Sequence, residues 1–222
     1  MLHSLIHIMN GRSLSEAGRK PLRERIRETT ERAIMEAAEE VFADQGLHNA
    51  HMGEIAARAG VSVGTLYNHF EDREALLAGL LDARQSELLA LVDARLAEMA
   101  ARPFAEQLRA LLRCMLEHAE AHRKFFQILW QTEVGRYQVT FPSACRKPSA
   151  TMKEILGRID KVIKRGVKDR ALRAEAGDLA PLLFLGMVRG LCIRDALAGG
   201  AGDLAGQAEA LLDLFLHGVG VR

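Results

Sequence analysis

The stretch MGEIAARAGVSVGTLYNHF, residues 52–70, decides the fold because it predicts two short helices joined by a tight turn. Ile55 is apolar on the first helix, and Leu66 and Phe70, four residues apart, give the second helix one face that can be buried. Gly60 suits the reversal between the helices because glycine adopts positive φ at little steric cost. This is the arrangement of a helix-turn-helix.

The outer side of the second helix is left with short, mostly polar side chains. They belong to Ser62, Val63, Thr65, Asn68 and His69. A helix of this kind can enter the major groove of DNA with its N-terminal residues facing the bases. An ordinary helical hairpin with a polar surface is the alternative, and spacing alone does not decide between the two.

The residues around this motif continue a known pattern. Residues 28–87 resemble the N-terminal module of the TetR family, and AGVSVGTLYNHFEDREALL reproduces that family's signature almost continuously. Phe42, Gly46 and the run Glu54–Ala56 also stand where the family's pattern places them. The resemblance implies a sequence-specific, DNA-binding transcriptional regulator and not a plain hairpin.

The resemblance also implies roles for individual residues. Thr65 and the three residues before it are expected to approach the groove, while Tyr67, His69 and Arg73 contact the sugar-phosphate backbone. Arg73 stands where lysine is commoner, and it keeps the positive charge with a different fork geometry. His51 replaces the usual capping threonine or serine, which predicts a weaker cap. The predicted DNA-binding residues are His51, Ser62, Val63, Gly64, Thr65, Tyr67, Asn68, His69 and Arg73.

Helical periodicity extends over most of the chain, and convincing strand patterns are missing. The predicted fold is all-α, with an N-terminal three-helix helix-turn-helix DNA-binding module followed by a larger C-terminal helical ligand-binding and dimerisation domain. The predicted divisions are a flexible basic tail (1–22), the module (23–80) and the larger domain (81–222). Helices are expected near 23–45, 52–59, 63–70, 73–100, 104–121, 123–136, 148–165, 178–198 and 203–217.

Charge and composition limit the classes of partner. The 222 residues carry a formal net charge of only +1, so DNA must be bound by a local face. Basic residues gather in and just after the tail, where they are expected to contact phosphates or a groove; a solvated, disordered leader is the alternative. These residues are Arg12, Arg19, Lys20, Arg23, Arg25 and Arg27.

The remaining composition predicts a cytoplasmic protein with neither a membrane partner nor a cofactor. The three cysteines are scattered and lack metal-ligand spacing. The first ten residues lack the basic region of a signal peptide, and no run approaches the roughly 18 apolar residues needed to cross a bilayer. Nucleophile elbow, phosphate loop and dinucleotide fingerprint are also missing, so no enzyme is predicted.

The C-terminal helices resemble those of the family, which implies dimerisation and a ligand pocket. Gly186 and Gly190, four residues apart, would permit close contact between helices of two subunits, although these faces could instead pack within one subunit. The predicted dimer interface contains Leu183, Phe184, Gly186, Met187, Gly190, Leu211 and Phe215.

An aromatic stretch is the candidate ligand pocket, with plain core as the alternative. The predicted pocket residues are His118, His122, Phe125, Phe126, Trp130, Glu133 and Tyr137. His118 and His122 could share a helix face as paired metal ligands do. However, no third ligand is indicated, and the glutamate of the zinc-protease helix is missing. Solvated histidines are therefore favoured, and no metal is predicted.

The predicted mechanism is ligand-controlled repression. A homodimer would hold two recognition helices about 34–36 Å apart, or a multiple of this, on a palindromic operator in double-stranded DNA. An unidentified small-molecule effector would favour another separation and release the DNA. Control by a protein partner, an activating role, and an enzyme in the C-terminal cavity are the alternatives.

Overall fold

A computed structural model describes residues 21–134, 150–176 and 178–219. Within these ranges the chain is helical with no β-strand, which confirms the all-α fold of a helix-turn-helix module followed by a larger helical domain. The helices of these ranges are α1 (Leu22–Gln45), α2 (Met52–Arg58), α3 (Val63–His69), α4 (Arg73–Glu98), α5 (Phe104–Ala121), α6 (Arg123–Val134), α7 (Ala150–Lys168), α8 (Ala180–Leu197) and α9 (Ala208–Val219).

The helix boundaries of the N-terminal part follow local signals. Helix α1 ends where Gly46 takes φ 77° and its N–H bonds the carbonyl of Phe42 at 2.9 Å. Ser62 caps α3 by accepting a hydrogen bond from the backbone N–H of Thr65 at 3.0 Å. Asp72 caps α4 through the N–H of Ala75 at 2.7 Å. These three predicted signals are confirmed, because each satisfies backbone groups that a helix end leaves without partners.

The boundary between the predicted tail and α1 differs from expectation. So do the end of α7 and the start of α9. Most of the predicted tail, residues 1–20, lies outside the described residues, and α1 begins at Leu22, within its last positions. Helix α7 runs to Lys168, three residues beyond the predicted end. A short 3-10 turn, Ala205–Gln207, precedes α9, so the α-helix begins only at Ala208.

The N-terminal core is formed by α1 to α4 and completed by α6. Its buried residues include Phe42 from α1, Ile55 from α2 and Leu66 from α3, all 0% exposed. Phe125 and Ile128 of α6 are buried in the same cluster. The N-terminal module therefore takes part of its core from a helix about 60 positions downstream of α3, which loop closure permits at modest entropic cost.

The larger core is formed by α4, α5, α7, α8 and α9. Leu108 and Leu111 of α5 are 0% exposed in this cluster. Phe184 of α8 and Phe215 of α9 meet edge to face with ring centroids 5.6 Å apart. This geometry is favoured by the aromatic quadrupole and ties the last two helices together inside one subunit.

Helix α4 connects the two cores. It supplies Leu76 and Leu80 to the first core and Val92 to the second, so it passes through the predicted boundary between residues 80 and 81 without a break. Arg84 of α4 also pairs with Glu39 of α1 at 2.6 Å. The 23–80 and 81–222 division remains a prediction.

In the ranges that the structure describes, no helix is long and apolar enough to cross a membrane.

Candidate nucleic-acid interface and C-terminal sites

The helix-turn-helix is fixed from its buried side. Gly60 adopts φ 69° in the turn, and the N–H of Val61 bonds the carbonyl of Ala56 at 3.0 Å. Leu66 is fully buried in the N-terminal core, and Phe70 is buried at the end of α3. Because one side of α3 is held by these residues, its opposite side is presented outward on a rigid support.

The outward side of α3 carries most of the predicted DNA-binding residues. Val63 is 46% exposed and Tyr67 is 50% exposed. Ser62, Gly64 and Asn68 are also exposed. Thr65 is half-buried, with its hydroxyl 2.8 Å from that of Ser62. The structure thus brings six predicted residues together on one short surface.

The other predicted DNA-binding residues are placed differently. The side chain of His69 is only 11% exposed and lies 3.9 Å from the carboxylate of Glu31, so the expectation that it points outward is wrong. Arg73 donates to the carbonyls of His48 and Ala50, at 2.5 and 3.3 Å, which holds its guanidinium beside the loop before α2. His51 is exposed at the N-terminus of α2, and its side chain makes no capping bond to the described residues, as predicted.

The acidic residues of the module are balanced by nearby cations. Arg58 of α2 lies 3.4 Å from both Glu40 and Asp44 of α1 and 3.7 Å from Glu54. Glu39 is bound by Arg84. These pairs reduce the repulsion that α1 and α2 would otherwise exert on a phosphate backbone.

The described members of the predicted ligand pocket lie in different surroundings. Phe125 is 2% exposed in the N-terminal core, whereas Phe126 packs against both cores. Trp130 and Glu133 fall on α6, but their side chains lie outside the described residues. Tyr137 lies outside the described ranges altogether. The role of this set in ligand binding remains a prediction.

A cavity of about 300 Å³ lies between α5, α6, α8 and the loop after α8. Arg123 stands in its wall, 3.2 Å from the buried carboxylate of Asp195, and also bonds the carbonyls of Gly200 and Gly202. Burial raises the pKa of the Cys192 thiol to about 11, with Asp195 contributing. The lining residues are Ala119, Arg123, Lys124, Phe126, Gln127, Cys192, Asp195, Ala196, Gly199, Gly200 and Leu204.

Sequence reasoning missed most of this cavity because its walls come from helices about 70 positions apart. Among the predicted pocket residues whose side chains the structure describes, only Phe126 lies in its lining. The volume is at the lower end of the range for small-molecule sites.

The predicted histidine pair lies beside a third polar group. The rings of His118 and His122 have centroids 4.6 Å apart, and Nε2 of His122 is 3.3 Å from Oε1 of Glu87 on α4. His118 is 4% exposed, so the expectation of solvated histidines is wrong for this residue. Burial, followed by the neighbouring His122, lowers the pKa of His118 to about 4. Burial tends to raise the pKa of Glu87, but the two histidines and Arg84 outweigh it and the pKa is lowered.

The predicted dimer-interface residues separate into two groups. Phe184 and Phe215 are buried inside the subunit, and Met187 and Leu211 are partly buried against the same core. Leu183, Gly186 and Gly190 are exposed on α8. The structure adds exposed leucines that the prediction lacked: Leu179, Leu182 and Leu197 at 61%, 60% and 74%, and Leu214 on α9 at 65%. We call Leu179, Leu182, Leu183, Leu197 and Leu214, with the two glycines, the α8–α9 apolar face.

This chain is similar to known proteins over its N-terminal residues and, at lower identity, over most of its length. A family model described as bacterial regulatory proteins, tetR family, matches residues 34–80. The HTH-type transcriptional regulator UidR of Escherichia coli K12 is 40% identical over 52 residues, and the match spans only 26% of UidR and 23% of this chain. The HTH-type transcriptional regulator AcrR of Shigella flexneri is 25% identical over 197 residues, covering 85% of this chain and 88% of AcrR.

Among solved structures, the transcriptional regulator FadR of Bacillus subtilis, in complex with stearoyl-CoA, superposes with a TM-score of 0.69. The match covers 85% of this chain and 98% of FadR at 20% sequence identity. At this identity the likeness concerns the fold alone. The family match is therefore concentrated on α1 to α4, and the fold match extends through the larger domain.

Proposed function

We propose that this chain, whose residues 34–80 match the family model described as bacterial regulatory proteins, tetR family, is a transcriptional regulator that reads operator DNA with α3. The observation that carries this proposal is the outward side of α3, where Val63 and Tyr67 are about half exposed on a helix fixed by buried Leu66. Short polar side chains and bare backbone beside them suit the major groove. Thr65 and its neighbours would face bases, and Tyr67 would contact the backbone.

The residues at the edges of α3 would position the module on the duplex. His51 is exposed at the start of α2 and can donate to a phosphate. Asn68 is exposed on α3. Arg73 lies against the loop after α1, and His69 lies against α1. We therefore assign both residues to stabilising the fold of the module and to keeping its charge near the DNA backbone. Contacts of this kind fix register without specifying sequence.

Selection of bound DNA from a random duplex pool tests the reading function. We expect enrichment of a palindrome, because a two-fold dimer reads two equivalent half-sites. The half-sites should be separated by about 10–10.5 base pairs or a multiple. Absence of enrichment at low salt, where phosphate contacts are strongest, would contradict the proposal.

The dimer proposal rests on the α8–α9 apolar face. Five exposed leucines lie on α8 and α9 or at the N-terminal end of α8. Exposed apolar surface of this kind marks an interaction site. Gly186 and Gly190 are exposed among them, with no described atom within 4 Å of an added Cβ, so a partner helix can approach closely. Two copies would pack α8 and α9 into a four-helix interface.

Leu183→Glu is expected to convert the dimer to a monomer, since a carboxylate would be desolvated at the interface without a partner. The subunit should remain folded because Leu183 is 51% exposed. Sedimentation velocity measures the oligomer, and circular dichroism measures helix content. Leu91→Glu, on an exposed position of α4, is the matched control and should stay dimeric. A dimeric Leu183→Glu protein would place the interface elsewhere.

For the regulatory step, we propose repression relieved by a small molecule bound in the larger domain. The cavity of about 300 Å³ beside α6 supports this, because α6 also carries Phe125 into the module's core. The FadR structure, which holds stearoyl-CoA, shows that a protein of this fold binds a ligand. A ligand-dependent change in operator affinity of about 5- to 150-fold is typical of such coupling. A screen of small molecules for altered binding of the protein to the selected operator identifies the effector. A reporter gene under that operator then measures the direction of regulation.

A further inference from the structure

Three potential metal ligands meet where α4 and the end of α5 lie side by side. Glu87 of α4 and the histidines His118 and His122 each present one ligand atom, and these atoms all lie within 4.8 Å of one another. His118 is buried, His122 is partly buried and Glu87 is exposed, so the cluster opens to solvent from one side. An ion can therefore reach it without unfolding the domain.

We propose that Glu87, His118 and His122 bind a divalent first-row transition-metal ion, with Zn²⁺ as the best match, and that this ion is a regulatory ligand of the protein. Two imidazoles and one carboxylate form a common protein set for Zn²⁺, and imidazole suits ions of this class in general. Three protein ligands leave one position for water or a small anion. The regulatory half of this inference rests on the proposed function; the binding half does not.

The distances are close to those of such a site. Ligand atoms at about 2.1 Å from a tetrahedral ion are roughly 3.4 Å apart. Nε2 of His122 and Oε1 of Glu87 are already 3.3 Å apart. No two ligand atoms of the cluster are more than 4.8 Å apart. Its longest edge must therefore contract by up to about 1.4 Å, which side-chain rotations can supply.

His118 is prepared for ligation by its surroundings. It is hydrogen-bonded to the backbone of Arg84, which restrains the ring beside Glu87 and His122. Ligating histidines commonly form such a bond through their second nitrogen, which fixes the ring's orientation and tautomer.

The charges around the cluster show how an ion would affect the DNA-binding module. Arg84 lies 3.2 Å from Glu87 and 2.6 Å from Glu39 of α1, so it bridges the cluster to the module. Arg123, which directly follows His122 in the chain, pairs with Glu120 and Asp195. An ion on Glu87 would compete with Arg84 for that carboxylate. Arg84 would then be held more strongly by Glu39, which changes the restraint between α4 and α1.

Titration of the full-length protein with Zn²⁺ tests the binding half. We expect one ion per subunit by calorimetry, with affinity lowered at least tenfold in His122→Gln and in Glu87→Gln. Glu117→Gln and His217→Gln remove a neighbouring exposed carboxylate and an exposed histidine on α9, and they should leave affinity unchanged. Co²⁺ provides a second readout, since its visible spectrum reports the ligand set. No binding, or binding unaffected by the two cluster variants, would overturn the site.

Operator affinity with and without Zn²⁺ tests the regulatory half. A change of about 5- to 150-fold in the native protein, abolished in His122→Gln, is the expected result. Unchanged affinity in a Zn²⁺-loaded protein would overturn the regulatory role. If no operator is selected in metal-free or Zn²⁺-containing buffer, the proposed DNA-reading function fails, while the titration still decides the metal site.

Discussion

Thr65→Ala/Tyr67→Ala lowers operator affinity by at least roughly thirtyfold if α3 is the reading helix. The base contact of Thr65 is worth about 1–3 kcal/mol. A hydrogen bond from Tyr67 to a charged phosphate is worth about 1.5–3 kcal/mol, so the two losses together correspond to at least about 2 kcal/mol. The fold should survive because Tyr67 is 50% exposed and buried Leu66 continues to hold α3. Thr65 loses only its hydroxyl contact with the exposed Ser62.

Fluorescence anisotropy at one fixed salt concentration measures this effect on the selected operator and on a scrambled duplex. Thr151→Ala/Leu91→Ala is the matched control, because it removes a threonine and a large exposed side chain from the larger domain. Native affinity in the Thr65/Tyr67 variant, with its helix content intact, would show that another surface reads the DNA.

Phe184→Ala is expected to reduce the free energy of unfolding by about 3–5 kcal/mol, the usual cost of removing a buried phenylalanine side chain. Phe184 is 2% exposed and meets Phe215 edge to face at 5.6 Å. Its loss would leave a cavity between α8 and α9. Urea denaturation at one protein concentration measures the change, since dimerisation makes apparent stability concentration-dependent.

Leu91→Ala provides the comparison for this stability measurement. Leu91 is 44% exposed on α4, so its truncation should change the free energy of unfolding by less than about 0.5 kcal/mol. A Phe184→Ala effect as small as that of the control would contradict the packing of α8 on α9.

The N-terminal module was predictable because its signals are local. The caps at Ser62 and Asp72 and the turn at Gly46 depend on residues within four positions, and the structure has each of them where expected. The outward side of α3 follows from the burial of Leu66 and Phe70. The burial of His69 could not be predicted in this way. It depends on Glu31 of α1, and periodicity cannot give the orientation of α1 relative to α3.

The larger domain was less predictable because its sites depend on distant pairs. Helix α8 is apolar on almost every side, so periodicity could not assign Phe184 to the core and Leu183 to the surface. Glu87 and His122 are 35 positions apart, and no spacing rule joins them. Phe125 belongs to an aromatic run typical of a pocket, but it fills the core of the other domain.

The burial of Phe125 and Ile128 among the helices of the module has a consequence for protein engineering. An exchange of recognition modules at the predicted boundary would cut the chain after residue 80. Here a fragment ending at residue 80 would lack Phe125 and Ile128, which would leave cavities in the core of the module. The side chains of a foreign sensor domain would have to fill those cavities. A graft that transfers α6 together with α1–α4 keeps these contacts, so the interchangeable part of this chain is discontinuous in sequence.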